Sequence, residues 1–188
     1  MTLSKPLPAP RECYPCTACC DGWLEINVPG VARAWKDHPC AHRTDAGCGI
    51  FGKKERPQTC NKFLCFWRVQ GSPFPEWMRP DLSKVIVIFN RFVWQGVGVD
   101  IAVPMGHSVP PQPLEWLKRF AEINQRPLMW AEQIMENGVY IDRWRFGAHG
   151  PPAFQKEMAE RIGNGDSPWK HGPAAEFGIP KAEANTPQ

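Results

Sequence analysis

The sequence predicts an α+β fold in which a cysteine-rich, loop-dominated metal-binding half packs on a small, mostly antiparallel sheet with a few short helices. Two observations predict this division. All eight cysteines of the 188-residue chain lie between Cys13 and Cys65. The chain also contains 21 prolines and 16 glycines. Together they make up about a fifth of the residues, whereas average usage of the two is roughly 12%. Regular elements are therefore expected to be short. A hydrophobic fraction of 43% is ordinary for a globular protein and excludes a disordered chain.

A chain of this length predicts one domain, within which we expect four segments. Residues 1–12 are expected to form a flexible lead, and residues 13–82 the cysteine-cluster region that binds metal. Residues 83–164 would form a small α+β region that completes the same domain. The tail, residues 165–188, is rich in proline, glycine and alanine and is expected to be loose.

Short elements are expected in the cysteine-rich half. Residues 24–28 alternate apolar and polar side chains and predict a strand, closed by the Pro-Gly pair that follows. Residues 31–36 predict a single helical turn. Residues 56–67 predict a helix, because Pro57 suits its first turn and apolar side chains recur at helical spacing from Cys60 onward.

The second half combines strands and helices. β-branched and apolar runs predict strands over residues 85–89, 97–101 and 139–141. Amphipathic or apolar segments predict helices over residues 114–123, 128–137 and 153–162. The second of these helices would stop at Gly138, since glycine commonly follows a helix C-terminus.

Three explanations compete for the eight cysteines. Disulfides require an oxidising compartment, and residues 1–10 lack the apolar stretch and cleavage pattern of a secretory signal, so a cytoplasmic location with reduced thiols is expected. Buried free cysteines suit one or two scattered thiols, whereas four of these cysteines lie within eight residues. The sequence therefore predicts a thiolate metal centre.

The cysteines begin with a Cys-x2-Cys-x2-Cys-Cys run. Two residues between cysteines let the chain turn once and direct both sulfurs to one ion, as in zinc knuckles. The same run holds one corner of an iron–sulfur cluster in bacterial ferredoxins. The full set of candidate metal ligands is Cys13, Cys16, Cys19, Cys20, Cys40, Cys48, Cys60 and Cys65.

Spacing alone does not identify the metal, because thiolates suit zinc and iron–sulfur clusters alike. Eight thiolates fit two zinc sites of four cysteines each, or one four-iron cluster with four cysteines left over. In an extended chain Cys19 and Cys20 would point to opposite sides, so they would feed two centres, share a polynuclear centre, or leave one thiol spare. The predicted cofactor is therefore an iron–sulfur cluster or Zn²⁺.

Several separated blocks of the sequence carry a family resemblance. The blocks are Cys13–Cys20, His38–His42, Gly47–Phe51, Arg56–Trp67 and Arg79–Asp81. In order and spacing they resemble the CxxCxxCC cysteine-cluster family (YkgJ-like) over residues 13–82. The resemblance implies chelation of zinc or iron by the cysteines. A similar cysteine segment occurs in bacterial flagellin lysine N-methylases, where an iron–sulfur centre is implicated, and this favours iron–sulfur here.

Residues near the cysteines have secondary roles in this interpretation. His38 and His42 are expected to hydrogen-bond or to face solvent, since eight thiolates are already available as ligands. The aromatic side chains of Phe63, Phe66 and Trp67 would either shield the metal centre from water or pack a small core.

Charge and motifs restrict the function classes. The net charge is +3 without a dense basic patch, which disfavours a nucleic-acid partner, and no run of 18 apolar residues predicts a membrane span. No P-loop, HExxH or Ser/His/Asp pattern assigns a catalytic residue or an organic cofactor. Two functions stay open: a redox or accessory iron–sulfur protein, or a structural zinc module that acts as an adaptor for a protein or nucleic-acid partner.

Overall fold

A computed structural model describes residues 11–164, and it has the predicted α+β architecture. The strands are β1 (Ile26–Val28), β2 (Ala32–Ala34), β3 (Arg43–Thr44), β4 (Gly47–Cys48), β5 (Val85–Trp94), β6 (Val97–Pro104), β7 (Leu128–Glu136) and β8 (Val139–His149). The α-helices are α1 (Gln58–Lys62), α2 (Pro80–Ser83), α3 (Pro111–Ile123) and α4 (Pro152–Gly163). Shorter helical turns span Cys19–Trp23, Phe66–Arg68 and Glu76–Met78. The expected tail and the first ten residues of the expected lead lie outside the described residues.

The main sheet has the strand order β5-β6-β7-β8. Strands β5 and β6 form an antiparallel hairpin around Gln95-Gly96, and β7 and β8 form a second one around Asn137-Gly138. All four turn residues have positive φ, as a two-residue type I′ turn requires. Strands β6 and β7 run parallel, since α3 provides the crossover between them. The sheet is therefore mostly antiparallel, as predicted.

Both faces of this sheet are covered. Side chains alternate along each strand, so Ile86 and Val87 of β5 belong to different apolar clusters. The first face packs against the cysteine-rich half and against α4, through Phe154. The second face packs against α3 and the segment 66–78. The part of the cysteine-rich half that carries the cysteines thus lies on one face of the sheet, whereas its last part, residues 66–78, covers the other face.

The cysteine-rich half has little regular structure. Strands β1 and β2 form one small sheet, and β3 and β4 form another. Its own core consists of Ile26, Ala32, Ala34 and Cys40. At its start, the Arg11 guanidinium donates hydrogen bonds of 2.7 Å to the carbonyls of Trp67 and Phe74, which ties this end of the described chain to the sheet cover.

The helix predicted over residues 128–137 is wrong, because this segment forms β7. Asn137-Gly138 is a hairpin turn and not a helix terminus, and Asn-Gly is the strongest short-range hairpin signal. Met129 and Ala131 face one apolar cluster, whereas Leu128 faces the other. Burial on both faces hides the alternation that would have identified a strand.

Two predictions in the cysteine-rich half are also wrong. Residues 31–36 contain β2 and no helical turn, because Ala32–Ala34 pairs with β1. The helix predicted over residues 56–67 ends at Lys62, and the next residue has extended backbone. The expected apolar face is therefore broken after one turn.

The remaining elements are confirmed, mostly within longer ones. The strand expected over residues 24–28 contains β1, and those over 85–89, 97–101 and 139–141 fall inside β5, β6 and β8. The helices expected over 114–123 and 153–162 fall inside α3 and α4.

Candidate metal centre

All eight cysteines line one cavity. Its volume is about 70 Å³, and apolar side chains enclose it, among them Leu24, Ile50 and Phe63. Every cysteine is a free thiol. The sequence places these cysteines in one segment of the chain, and the fold brings all of them around one space.

The helical turn Cys19–Trp23 delivers two adjacent thiols to the cavity. Gly22 within this turn has a φ of 90°, and a Cβ atom there would overlap the carbonyl group of Trp35, so the turn requires glycine. The expectation that Cys19 and Cys20 point to opposite sides applies to an extended chain. The helical backbone lets both residues line the cavity.

The carboxylate of Asp21 links this turn to the β3–β4 hairpin. It accepts hydrogen bonds from the Thr17 hydroxyl at 2.7 Å and from Arg43 Nε at 2.8 Å. Arg43 in turn pairs with Cys48 across the hairpin. The hairpin therefore carries Cys48 to the same cavity as the turn.

Local structure positions three further cysteines, Cys40, Cys60 and Cys65. The N–H of Cys40 donates to the carbonyl of Cys20 at 2.7 Å, and Cys40 is buried in the small core beside β1 and β2. Cys60 lies in α1, and Cys65 directly precedes the helical turn Phe66–Arg68.

Four thiols form one neighbourhood at the sheet. The pKa of Cys65 is raised to about 12, first by burial and then by the nearby thiols of Cys16 and Cys13. The pKa of Cys19 is raised well above its ordinary value by burial and then by Cys65, Cys16 and Cys13, with Cys20 contributing least. Cys16, Cys19 and Cys65 also pack against the sheet core. We call Cys13, Cys16, Cys19 and Cys65 the inner quartet.

The other four thiols form a second neighbourhood. The pKa of Cys20 is raised to about 12, first by burial and then by Cys48, Cys40 and Cys60, with Cys13 contributing least. The pKa of Cys60 is raised by burial and by the thiols of Cys40 and Cys48. Cys20 and Cys60 pack against the small core that contains Cys40, and Cys19 of the inner quartet packs against this core as well. We call Cys20, Cys40, Cys48 and Cys60 the outer quartet.

Backbone N–H groups approach two inner thiols. Burial raises the pKa of Cys16 to about 11, although hydrogen bonds from the backbone of Ala18 and Asp81 oppose the rise. The backbone of Arg68 hydrogen-bonds Cys65 in the same way. Such N–H···S bonds favour the thiolate, which is the form that binds metal.

Three residues that line the cavity each have a buried side-chain N–H without a hydrogen-bond partner in the described part of the chain. Arg56, Trp67 and Arg68 line the cavity, and Arg56 Nε, Trp67 Nε1 and Arg68 Nη1 are buried without a partner within residues 11–164. An unsatisfied buried donor costs about 1–3 kcal/mol, and a charged one more. Anionic sulfur acceptors inside the cavity would offset this cost. The donor set of eight thiols, with N–H groups around it, therefore fits a thiolate-bound metal centre.

No pattern in the sequence identifies these three donors. The only signal for them was position, since Arg56 lies four residues before Cys60 and Arg68 lies three residues after Cys65. Trp67 and Arg68 line the cavity because the chain leaves α1 at Lys62 and turns again at Phe66–Arg68, whereas Arg56 lies just before α1.

The aromatic and histidine side chains near the cysteines divide between two roles. Phe63 and Trp67 line the cavity, and Trp67 also belongs, with Phe66, to the core on the other face of the sheet. The ring of His38 stacks on Trp35, with centroids 4.2 Å apart. His42 lines the cavity, and its Nε2 lies 2.9 Å from the carbonyl oxygen of Val31.

The cysteines surround the cavity and do not converge on one point. Within residues 11–164, the side chains of His, Cys, Asp and Glu form no group of three or more that could hold a metal ion.

In the described part of the chain, no helix has the length and apolar character needed to cross a membrane. Comparison with known proteins finds no matching family model, no matching curated protein and no matching solved structure.

Proposed function

We propose that this protein holds iron–sulfur clusters through its eight cysteines, as two centres of four thiolates each. The observation that carries the proposal is that all eight cysteines line one enclosed cavity. Four thiolates are the usual ligand set of both [2Fe–2S] and [4Fe–4S] clusters, and the inner and outer quartets supply two such sets. When bound, these clusters would supply one-electron transfer, which implies a redox or accessory role.

Two properties of the cavity favour iron–sulfur over zinc. A zinc ion needs four sulfurs converging to about 2.3 Å, whereas a cluster spans the space between thiols that surround a cavity. In addition, hydrogen bonds to sulfur are one means by which proteins set cluster potentials. The unpartnered N–H groups of Arg56, Trp67 and Arg68 are available for this purpose.

The residues of the chain would contribute thiolate ligands and an apolar lining of the cavity. Because burial raises the pKa of most of these thiols, metal uptake has to displace protons and should weaken as the pH falls. The apolar lining around Leu24, Ile50 and Phe63 would limit access of water to the centres. Reduced thiols suit a cytoplasmic location, and the motif resemblance to the CxxCxxCC family points to the same metal chemistry.

Anaerobic purification followed by metal analysis tests this proposal. We expect a brown protein that contains iron and acid-labile sulfide in equal amounts. A colourless protein that contains zinc would contradict the iron–sulfur proposal and support a structural zinc module. A protein without bound metal would contradict any thiolate metal centre.

Single substitutions test the ligand assignment. Cys65→Ser removes one inner ligand and Cys60→Ser one outer ligand, so each is expected to lower the metal content by about half. Lys62→Ser is the matched control, because Lys62 is exposed on the same helix as Cys60. Unchanged metal content in both cysteine variants would contradict the assignment.

A further inference from the structure

Two arginines border the cysteine cavity, one near each quartet. Arg56 directly precedes the segment that carries Cys60, and Arg68 lies in the turn that follows Cys65. Both arginines line the cavity. Each arginine therefore lies close to one quartet.

Other contacts fix the orientation of both guanidinium groups. Arg56 Nη1 donates to Asn61 Oδ1 at 3.0 Å, and Arg68 Nε donates to the carbonyl of Arg11 at 3.1 Å. Both groups lie over the ring of Phe51, at 4.7 and 5.2 Å from its centroid. Arg56 Nε and Arg68 Nη1 nevertheless remain buried without a partner in the described part of the chain. Both arginines are half-buried, and a buried N–H of a guanidinium without a partner favours an anionic acceptor nearby.

We propose that Arg56 and Arg68 are positioning residues of the two metal centres, with Arg68 donating to sulfur of the inner centre and Arg56 to sulfur of the outer centre. This inference rests on the proposed function. Trp67 precedes Arg68 in the same turn, lines the cavity and has a third buried, uncharged N–H donor without a partner in the described residues. Four thiolates give each centre a negative charge, so a cation beside it stabilises the more negative, reduced form and also retains the metal.

Substitution of each arginine in the metal-loaded, full-length protein tests this inference. Arg68→Gln and Arg56→Gln are each expected to lower the midpoint potential of one centre and to speed metal loss to a chelator several-fold. Arg68→Lys keeps the charge but not the planar donor group, so it should recover part of the potential. Arg119→Gln is the control, because Arg119 is exposed on α3 and should match the unsubstituted protein.

The outcomes separate this inference from the proposed function. If the unsubstituted protein binds metal but Arg56→Gln and Arg68→Gln behave like Arg119→Gln, the inference is overturned and the proposed function stands. If both variants shift the midpoint potential of the same centre, the assignment of one arginine to each centre is overturned. An unsubstituted protein without metal overturns the proposed function itself.

Two further variants cover failure to fold and the zinc outcome. If Arg68→Gln does not fold, unchanged potentials in both Arg68→Lys and Trp67→Phe would overturn the inference, since Trp67→Phe removes only the indole N–H. If the bound metal is zinc, the rate of metal loss is the readout. Equal rates of metal loss in Arg56→Gln, Arg68→Gln and Arg119→Gln would then overturn the inference.

Discussion

The cysteine-rich region and the sheet region of this molecule are stabilised in different ways. The sheet buries large apolar side chains on both faces, among them Met129, Phe154 and Leu117. The small core of the cysteine-rich region consists of Ile26, two alanines and Cys40. Full burial of a large apolar side chain contributes about 1.5–3 kcal/mol, so the sheet region can supply its own folding free energy. Under the proposed function, we expect the cysteine-rich region to depend much more on the metal that its thiols would bind.

Metal removal should separate the two regions most strongly. Structural metal binding to thiolates contributes on the order of 10 kcal/mol to the folding of small metal-dependent segments. Without metal, we expect residues 11–65 to lose most of their amide protection while residues 66–164 keep theirs, since Phe66, Phe74 and Met78 belong to the core of the sheet. Hydrogen exchange of the metal-loaded and chelator-treated proteins measures this. Equal loss of protection in both regions would contradict the comparison.

A cavity in the sheet core should have the next largest effect. Phe154 of α4 is 0% exposed and packs edge-to-face against Trp94, with ring centroids 5.3 Å apart. Phe154→Ala is expected to lower the free energy of unfolding by about 3–5 kcal/mol, measured by urea denaturation. Ile123→Ala is the control, since Ile123 is 82% exposed and should change stability by less than about 0.5 kcal/mol. A similar effect of both substitutions would contradict the assigned core.

Breaking the buried ion pair between Asp100 and Arg126 is expected to lower the free energy of unfolding by a comparable but smaller amount. The Asp100 carboxylate, 4% exposed as a residue, accepts hydrogen bonds from Arg126 Nε at 2.8 Å and from the Asn90 N–H at 3.0 Å. Asp100→Ala leaves Arg126 without its counter-charge. It should lower the free energy of unfolding, measured by urea denaturation, by about 3 kcal/mol. Asp45→Ala also removes an arginine partner, but Asp45 is fully exposed, so it should cost at most about 1 kcal/mol. Equal costs would show that burial of Asp100 has no energetic consequence.

The smallest predicted effect concerns two glycines of the sheet region. A Cβ atom at Gly147 of β8 would overlap the indole ring of Trp130, whereas a Cβ atom at Gly163 of α4 meets nothing within 4 Å. Gly147→Ala should therefore lower the free energy of unfolding by about 1–3 kcal/mol. Gly163→Ala should leave it unchanged or raise it by up to about 1 kcal/mol. Thermal melting of the two variants distinguishes these results, and a stabilised Gly147→Ala would contradict the packing at Trp130.

The same two regions differ in how far the sequence predicts them. The β-branched runs over 85–89 and 97–101 identify strands because local propensity and tertiary burial agree there. The helix expected over 128–137 fails because strand β7 is buried on both faces, so its apolar residues show no clear period. The Asn-Gly pair at 137–138 was the local signal that could have corrected it.

In the cysteine-rich region, the sequence predicts the candidate ligands but not their arrangement. Spacing selects all eight cysteines, yet the division into quartets separates the neighbours Cys19 and Cys20 and joins Cys13 to Cys65. The positions of these thiols depend on tertiary packing, of Cys16, Cys19 and Cys65 against the sheet core and of Cys20 and Cys60 against the small core, which no local pattern encodes.

Native mass spectrometry of the anaerobically purified protein tests the central claim most directly, because it weighs the intact centres on each chain. We expect the unsubstituted protein to carry the added mass of two iron–sulfur clusters. Cys65→Ser and Cys60→Ser should each carry the mass of one cluster, and Lys62→Ser should carry two. A chain that binds no cluster, or that loses all bound mass with either single substitution, would contradict two four-thiolate centres in one cavity.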